Sequence, residues 1–394
     1  MKVSPQPHAR NDRPGKLLVP LFCGVLGTSG FQLAPFLLVA LSDLPGWTAA
    51  DAAIPLSVEF IAAGFASLTA PRLLQSISLR GVALTAMTMF FIGNAAGCLW
   101  HDYVGLIAIR GLVGIGEGLA MAVANIGVSR QTNPGRGFSA LMVSILLFGF
   151  VGLVATPHII ARFRLNGVFF VLSAAAVLAI VLVLRLPRLA LEQKENVPTT
   201  HDRVCEASPH VKWLPVLTAY FALFAAQGAI WAYIERIGLA SGLFTERIGT
   251  ILAASTLVGA FGAALSSRWS SPGMNALGIQ WTLVASGILL LAFLWPLTQF
   301  QFAVAICSLQ FLWCFASPKF LAVLARSAIP ARAMAGSVFA QLAGLGAGPL
   351  LASTVMGNQH GMAAPVYTAI GFSFASLLIV YYGLSNGAKR AAPK

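Results

Sequence analysis

The stretch IRGLVGIGEGLA, Ile109 to Ala120, sets one arginine and one glutamate seven residues apart in a run otherwise made of glycine and apolar side chains. On a helix, at 100° per residue, Glu117 falls about 20° from Arg110 around the axis and about 10 Å further along it. The two charges share a face but are too far apart to pair with each other. Gly114, Gly118 and Asn125 fall about 40° to 80° to one side, a lane of small residues that lets a neighbouring backbone approach closely. A charge at the centre of a bilayer costs about 2.5 to 3.5 kcal/mol on the most lenient scale, so both groups must face protein or water.

The rest of the chain makes the bilayer the relevant solvent. Of 394 residues, 58% are hydrophobic and 9% charged, against about 25% charged in an ordinary soluble domain. The formal net charge of +13 does not point to nucleic acid, because a nucleic-acid binder gathers its Lys and Arg on one face or arm; here they are scattered between apolar runs. The five cysteines form no C-x-x-C pair, so neither a zinc site nor a disulfide framework is indicated. The first apolar run, Leu17 to Leu41, is longer than the roughly 7 to 15 residues of a cleavable signal core and reads as a retained span.

At about 20 apolar residues per crossing, the sequence predicts twelve helices. The first six are Leu17 to Leu41, Ala52 to Ala70, Gly81 to Trp100, Val104 to Val128, Phe138 to Ile160 and Val168 to Leu184. The second six are Trp213 to Ile234, Ile248 to Leu265, Ala276 to Leu297, Phe302 to Leu324, Ala333 to Met356 and Ala363 to Leu384. The polar stretch 185–212 reads as a linker between an N-terminal bundle, 17–184, and a C-terminal bundle, 213–384, with tails at 1–16 and 385–394. Of the 25 Lys and Arg, only Arg162, Arg164, Arg236 and Arg247 fall on the side opposite the tails, and Arg110 lies inside a span. Such a bias places both tails in the cytoplasm, in a cytoplasmic or inner membrane. The motifs RQTNPGR (from Arg130) and RSAIPAR (from Arg326) lie 196 residues apart, as do Arg72 and Arg268. Six is an even number of crossings, so the two bundles form a parallel repeat.

Twelve helices in two parallel-repeat bundles, a basic central linker and internal tails resemble the major facilitator superfamily over the whole chain. Arg110, Gly114, Gly116 and Gly118 match the R-x-x-x-G-x-G-x-G pattern that members often carry on their fourth helix. Two departures stand out. In the loop after span 2, where members usually carry an aspartate that helps latch the cytoplasmic gate, Pro71 stands and only Arg72 is kept. Span 5 has Gly149, Gly152 and a lone Pro157 in place of the G-P-x-x-G-G element typical of drug/proton antiporters. Span 11 carries Gly344, Gly346, Gly348 and Pro349, another site of close helix packing.

Depth assigns a partner to the arginine. Entering from the Asp51 end, Glu59 lies about 12 Å deep, and entering near Tyr103, Arg110 lies about 10 Å deep. Glu59 is therefore the expected partner of Arg110, with Glu117 deeper and no Lys or Arg at its level. A buried carboxyl changes its proton affinity with its neighbours and with water access, and alternating access changes both. Glu117, Arg110 and Glu59 are the candidates for proton coupling, with Glu235 next. No Asp or Glu follows Glu246, so the C-terminal bundle offers amides and aromatics, Gln227, Trp231, Tyr233, Gln310, Trp313 and Gln341. Together with Gln32 in span 1 they are candidates to contact an amphipathic organic solute. The glycines 114, 116, 118, 344, 346 and 348 are read as helix-packing residues.

The function expected is secondary transport of a small organic solute, coupled to protons, by a monomer in the bilayer without cofactor or metal. A primary pump lacks its G-x-x-x-x-G-K-[ST] loop, and the six histidines are too dispersed for a membrane enzyme's metal or catalytic cluster. The alternative is a non-transporting sensor or assembly factor on a transporter fold, which the altered loop after span 2 keeps open.

Overall fold

A computed structural model describes residues 15–100, 102–129, 134–185, 213–269, 272–324, 330–356 and 361–391. These are almost entirely helical. The N-terminal set is α1 (Gly15–Leu26), α2 (Ser29–Ser42), α3 (Ala49–Ser76), α4 (Leu79–Gly97), α5 (Tyr103–Ser129) and α6 (Pro134–Arg185). The C-terminal set is α7 (Trp213–Ala240), α8 (Thr245–Arg268), α9 (Pro272–Leu291), α10 (Gln299–Leu324), α11 (Pro330–Val355) and α12 (Ala364–Ala391).

The sequence specifies where these helices start. Thr48 and Asp51 form a capping box at α3, and Ser78 accepts a hydrogen bond from the Gly81 amide at α4. Pro134, Pro272 and Pro330 open α6, α9 and α11, a position where the missing N–H has no intrahelical partner to lose. Gly46 after α2 and Gly242 after α7 take positive φ of 80° and 81°, a turn geometry that costs glycine nothing. They lie 196 positions apart, the spacing of the sequence repeat.

Eleven helices among the described residues are long and apolar enough to cross a membrane. Large apolar side chains such as Trp281 and Phe300 are 70% and 78% exposed, which in a bilayer is contact with lipid tails rather than with water.

Several expected boundaries are corrected. The first span is two helices, interrupted at Gly27 and Thr28. A side chain at Gly27 would collide with the backbone of Glu117 and Met121 on α5. Thr28 Oγ1 returns to the carbonyls of Gly24 and Val25 at 3.1 Å, a local bond that competes with the helix ladder. Expected spans 5 and 6 join in one element, Ala140–Arg185, 46 residues long. No loop separates them; the turn is made at Arg164, whose φ of 54° and ψ of −153° break the helix. The last helix runs past the expected boundary at 384 to Ala391. Lys319, counted among the charges on the side of the tails, lies inside α10 within the expected span and is buried. The loop motifs from Arg130 and Arg326 owe their central residues to 130–133 and 325–329. Those positions, the linker from 186 to 212, the first 14 residues and the last three lie outside the described residues.

Candidate functional site

The site is built where α5 meets α3 and α4. A methyl group at Gly114 or Gly118 would overlap the backbone carbonyl oxygens of Glu59 and Ala63 on α3. One at Gly116 would lie 2.7 Å from the Ala86 carbonyl of α4. The glycines of the opening motif thus bring the α5 backbone against two helices at once, and the side chains between them are excluded from solvent and lipid. Arg110 is 1% exposed and Glu59 0%.

Arg110 and Glu59 form a two-pronged ion pair. Arg110 Nε donates to Glu59 Oε2 at 2.8 Å, and Nη2 donates to Oε1. The third guanidinium nitrogen, Nη1, donates to Asn94 Oδ1 on α4 at 3.3 Å. The Phe169 ring of α6 lies 5.4 Å from the guanidinium carbon, within reach of a cation–π attraction. The matched depths of Glu59 and Arg110 therefore do reflect contact. A buried pair of this geometry is held because every polar atom finds a partner; removing one member leaves the other charged and alone.

Glu117 has a different partner. Its Oε1 accepts from the backbone amide of Gly30 at 2.9 Å and from Ser29 Oγ at 3.2 Å. Ser29 and Gly30 are the first residues of α2. The break in the first span therefore presents a helix N-terminus, with free N–H groups and the positive end of the dipole, to a carboxyl group. Among the described residues no Lys or Arg hydrogen-bonds Glu117; the start of the interrupted helix takes that place. The carboxyls of Glu59 and Glu117 also converge on the same point of α2. Both crowd Gly30, where a Cβ would lie 2.9 Å from Glu117 Oε1. Asn94, Phe169, Ser29 and Gly30 escaped sequence reasoning. The signal for the last two was present in Thr28-Ser29-Gly30, a helix-start signature inside an apolar run.

The C-terminal helices reach this cluster through α11. Gly344 and Gly348 leave α11 tight against Phe221 and Ala225 of α7, while a Cβ at Gly346 would lie 2.6 Å from the Ser57 carbonyl of α3. Ser57 is two residues from Glu59 on the same helix. On α3, a Cβ at Gly64 would lie 3.2 Å from the Ala343 amide nitrogen, so α3 is clamped between α5 and α11.

The remaining candidates fall into two groups. Toward the Asp51 end, Trp231 Nε1 donates to the Phe31 carbonyl at 2.8 Å and its ring packs on Phe31. Tyr233 Oη donates to the Ala49 carbonyl at 3.4 Å, and Arg236 donates to Ser42 Oγ. These bonds join N-terminal to C-terminal helices, so at these positions the two sets are closed on each other. Gln32 is buried, with Nε2 donating to the Ile145 carbonyl at 3.4 Å. Glu235 is 1% exposed, and its Oε2 has no partner. In the second group, Gln310 Oε1 and Trp313 Nε1 on α10 are buried without partners. Trp313 precedes by one turn Ser317, whose hydroxyl meets Tyr220 Oη of α7 at 2.9 Å, so it faces α7. Gln227 on α7 is buried and Gln341 on α11 half-buried. Within the described residues no group of three or more His, Cys, Asp or Glu is placed to hold a metal.

An all-helical membrane protein with a charged cluster at glycine-lined helix crossings is the class that this geometry defines. A sequence profile of the Major Facilitator Superfamily matches residues 21–340, and the chain belongs to that family. Solved structures with the same fold include a D-xylose-proton symporter, at 15% identity and TM-score 0.72 over 94% of this chain and 96% of that one. A POT family transporter in complex with 5-aminolevulinic acid matches at 14% identity and TM-score 0.75, over 98% of each chain. A POT family transporter in complex with a thioalcohol-conjugated peptide matches at 15% identity and TM-score 0.74, over 95% of this chain and 96% of that one. No curated protein sequence matches the chain.

Proposed function

We propose that the chain is a proton-coupled secondary transporter of a small organic solute, and that Glu117, Glu59 and Arg110 form its proton site. The observation that carries this reading is the stoichiometry of the buried cluster, two carboxyl groups converging on Gly30 and one guanidinium. In a dry site, charge balance between two carboxyls and one cation calls for one proton, and Glu117, which is not paired with Arg110, is the carboxyl that holds it. When water enters, both carboxylates can be solvated and the proton can leave. A fold relative described as a D-xylose-proton symporter favours the same reading.

Coupling to the solute runs through α3. Gly346 of α11 presses on Ser57, beside Glu59, so a movement of the C-terminal helices on the N-terminal ones displaces the carboxyl pair. Gln310 and Trp313, a buried acceptor and a buried donor without partners, are the groups we assign to the solute, with Gln227 and Gln341 as further candidates. The element from Ala140 to Arg185 supports two crossings, because 46 residues at 1.5 Å each is about 69 Å, twice the roughly 30 Å hydrocarbon core. The chain then crosses twelve times, in bundles 17–184 and 213–384 joined by a cytoplasmic linker. The charge bias puts both tails in the cytoplasm and makes the Asp51 end external. The hydrogen bonds of Trp231, Tyr233 and Arg236 then close the external side, leaving an inward-facing state of an alternating-access cycle.

The alternative of a sensor on a transporter fold rests on Pro71, which stands where a gate-latching aspartate is expected. Flux separates the two. Protein reconstituted in liposomes and screened with organic solutes, with and without an inward pH gradient, accumulates its substrate only with the gradient if it is a proton-coupled transporter. Binding without flux under both conditions identifies a sensor.

A further inference from the structure

The lipid-facing side of the C-terminal helices carries a second site, separate from the central cluster. Between α9 and α10 runs an apolar groove in two connected parts of about 570 and 270 Å³, which share Leu277, Trp281 and Leu312. It opens sideways, with Leu277, Trp281 and Ile288 more than half exposed. From Gly278 to Leu289 the α9 wall rises about 16 Å, close to the roughly 15 Å depth of one leaflet of the hydrocarbon core.

At one end of this groove lies Lys319. Its side chain is 2% exposed. Nζ donates to the Trp269 carbonyl at 2.7 Å and sits 4.6 Å from the centre of the Phe315 ring. The wall opposite is Gly278, where a Cβ would lie 2.8 Å from the lysine's Cδ and Cε. An ammonium group has three donors, and among the described residues Lys319 forms no ion pair with a carboxylate. Exposed Arg268 precedes Trp269, adding a second cation at the same level. A long apolar slot one leaflet deep that ends in a buried cation has the shape and charge of an anionic phospholipid, with its chain in the slot and its phosphate at the cation.

We propose that the α9–α10 groove binds one anionic phospholipid from the leaflet on the linker side, with the phosphate held by Lys319 and flanked by Arg268, and an acyl chain along Leu277, Trp281 and Ile288. Basic pockets between helices commonly take such headgroups. The site serves the fold rather than the proton cluster and holds whether or not the chain transports.

The test is native mass spectrometry of the full chain, offered phosphatidylglycerol and phosphatidylcholine with identical acyl chains. The wild type is expected to retain one phosphatidylglycerol with about five-fold preference, the worth of one cation near an anionic headgroup. Lys319→Met should abolish the preference and Lys319→Arg keep it, while Leu277→Trp should reduce retention of the lipid with the charge intact. Equal retention of both lipids by the wild type, or an unchanged preference in Lys319→Met, overturns the proposal. Glycerol 3-phosphate competing as well as the whole lipid would identify a phosphate site without a lipid. If Lys319→Met fails to fold, full retention by Leu277→Trp is sufficient to reject the groove.

Discussion

Glu117 Oε1 lies 2.9 Å from the amide nitrogen of Gly30, the second residue of a helix that begins in the middle of an apolar run. That contact explains both the interruption of the first span and a carboxyl group without a basic partner. A continuous first helix would spend the Gly30 N–H on its own ladder. The carboxyl of Glu117 would then be left with the Ser29 hydroxyl.

The Arg110–Glu59 pair is expected to behave as a unit. Arg110→Gln should destabilise the purified protein by about 3 to 5 kcal/mol, because it leaves a buried carboxylate without its cation, and Glu59→Gln by less, because Glu117 remains to balance the arginine. The double variant should recover a large part of the sum. Thermal unfolding in detergent measures the cycle, and strict additivity would contradict a direct pair.

Helix packing gives a sharper contrast between glycines. Gly114→Ala and Gly118→Ala push a methyl into the carbonyls of Glu59 and Ala63, and overpacking of this kind costs roughly 1 to 3 kcal/mol. Gly287→Ala and Gly371→Ala meet nothing within 4 Å. There the better helix propensity of alanine should stabilise by up to about 1 kcal/mol. Unfolding midpoints of the four variants should split in sign; a uniform response would mean that α5 does not sit tightly on α3.

How much of this was legible follows from what each residue must satisfy. Arg110 and Glu59 could be matched because helix rise fixes depth, and two opposite charges at one depth have few other partners. The glycine lane was legible because only small residues permit backbone contact. The Gly27–Thr28 break was hidden by uniform hydropathy, since a break inside an apolar run changes no average; only the hydroxyls of Thr28 and Ser29 marked it. Lys319 sits five residues before the end of α10, where a long side chain can remain near the interface, so charge counting grouped it with the tail-side charges although it lay within the expected span. Arg164 replaced an expected loop because its turn uses a single residue outside helical geometry.

Closure at the Asp51 end should be part of the cycle. With the native cysteines removed, Ser42→Cys and Arg236→Cys joined by a short reducible thiol crosslinker are expected to stop flux, and reduction should restore it. Undiminished flux in the crosslinked protein would mean that this contact does not open during transport.

Orientation is tested separately by labelling. A membrane-impermeant thiol reagent added to intact cells should reach Asp102→Cys and not His201→Cys, which should react only after lysis. Labelling of position 201 from outside would reverse the topology on which the inward-facing assignment rests.

Glu117→Gln addresses the proton site itself. The amide keeps the shape of the carboxyl and can still accept from Gly30 through its oxygen, but it cannot titrate. In proteoliposomes with an imposed pH gradient, the variant is expected to lose uphill accumulation of the solute while retaining solute exchange across the membrane at equilibrium. Retained exchange distinguishes loss of coupling from loss of fold. Full gradient-driven accumulation by Glu117→Gln would contradict the account, making Glu117 a packing residue and moving the proton to Glu59 or Glu235.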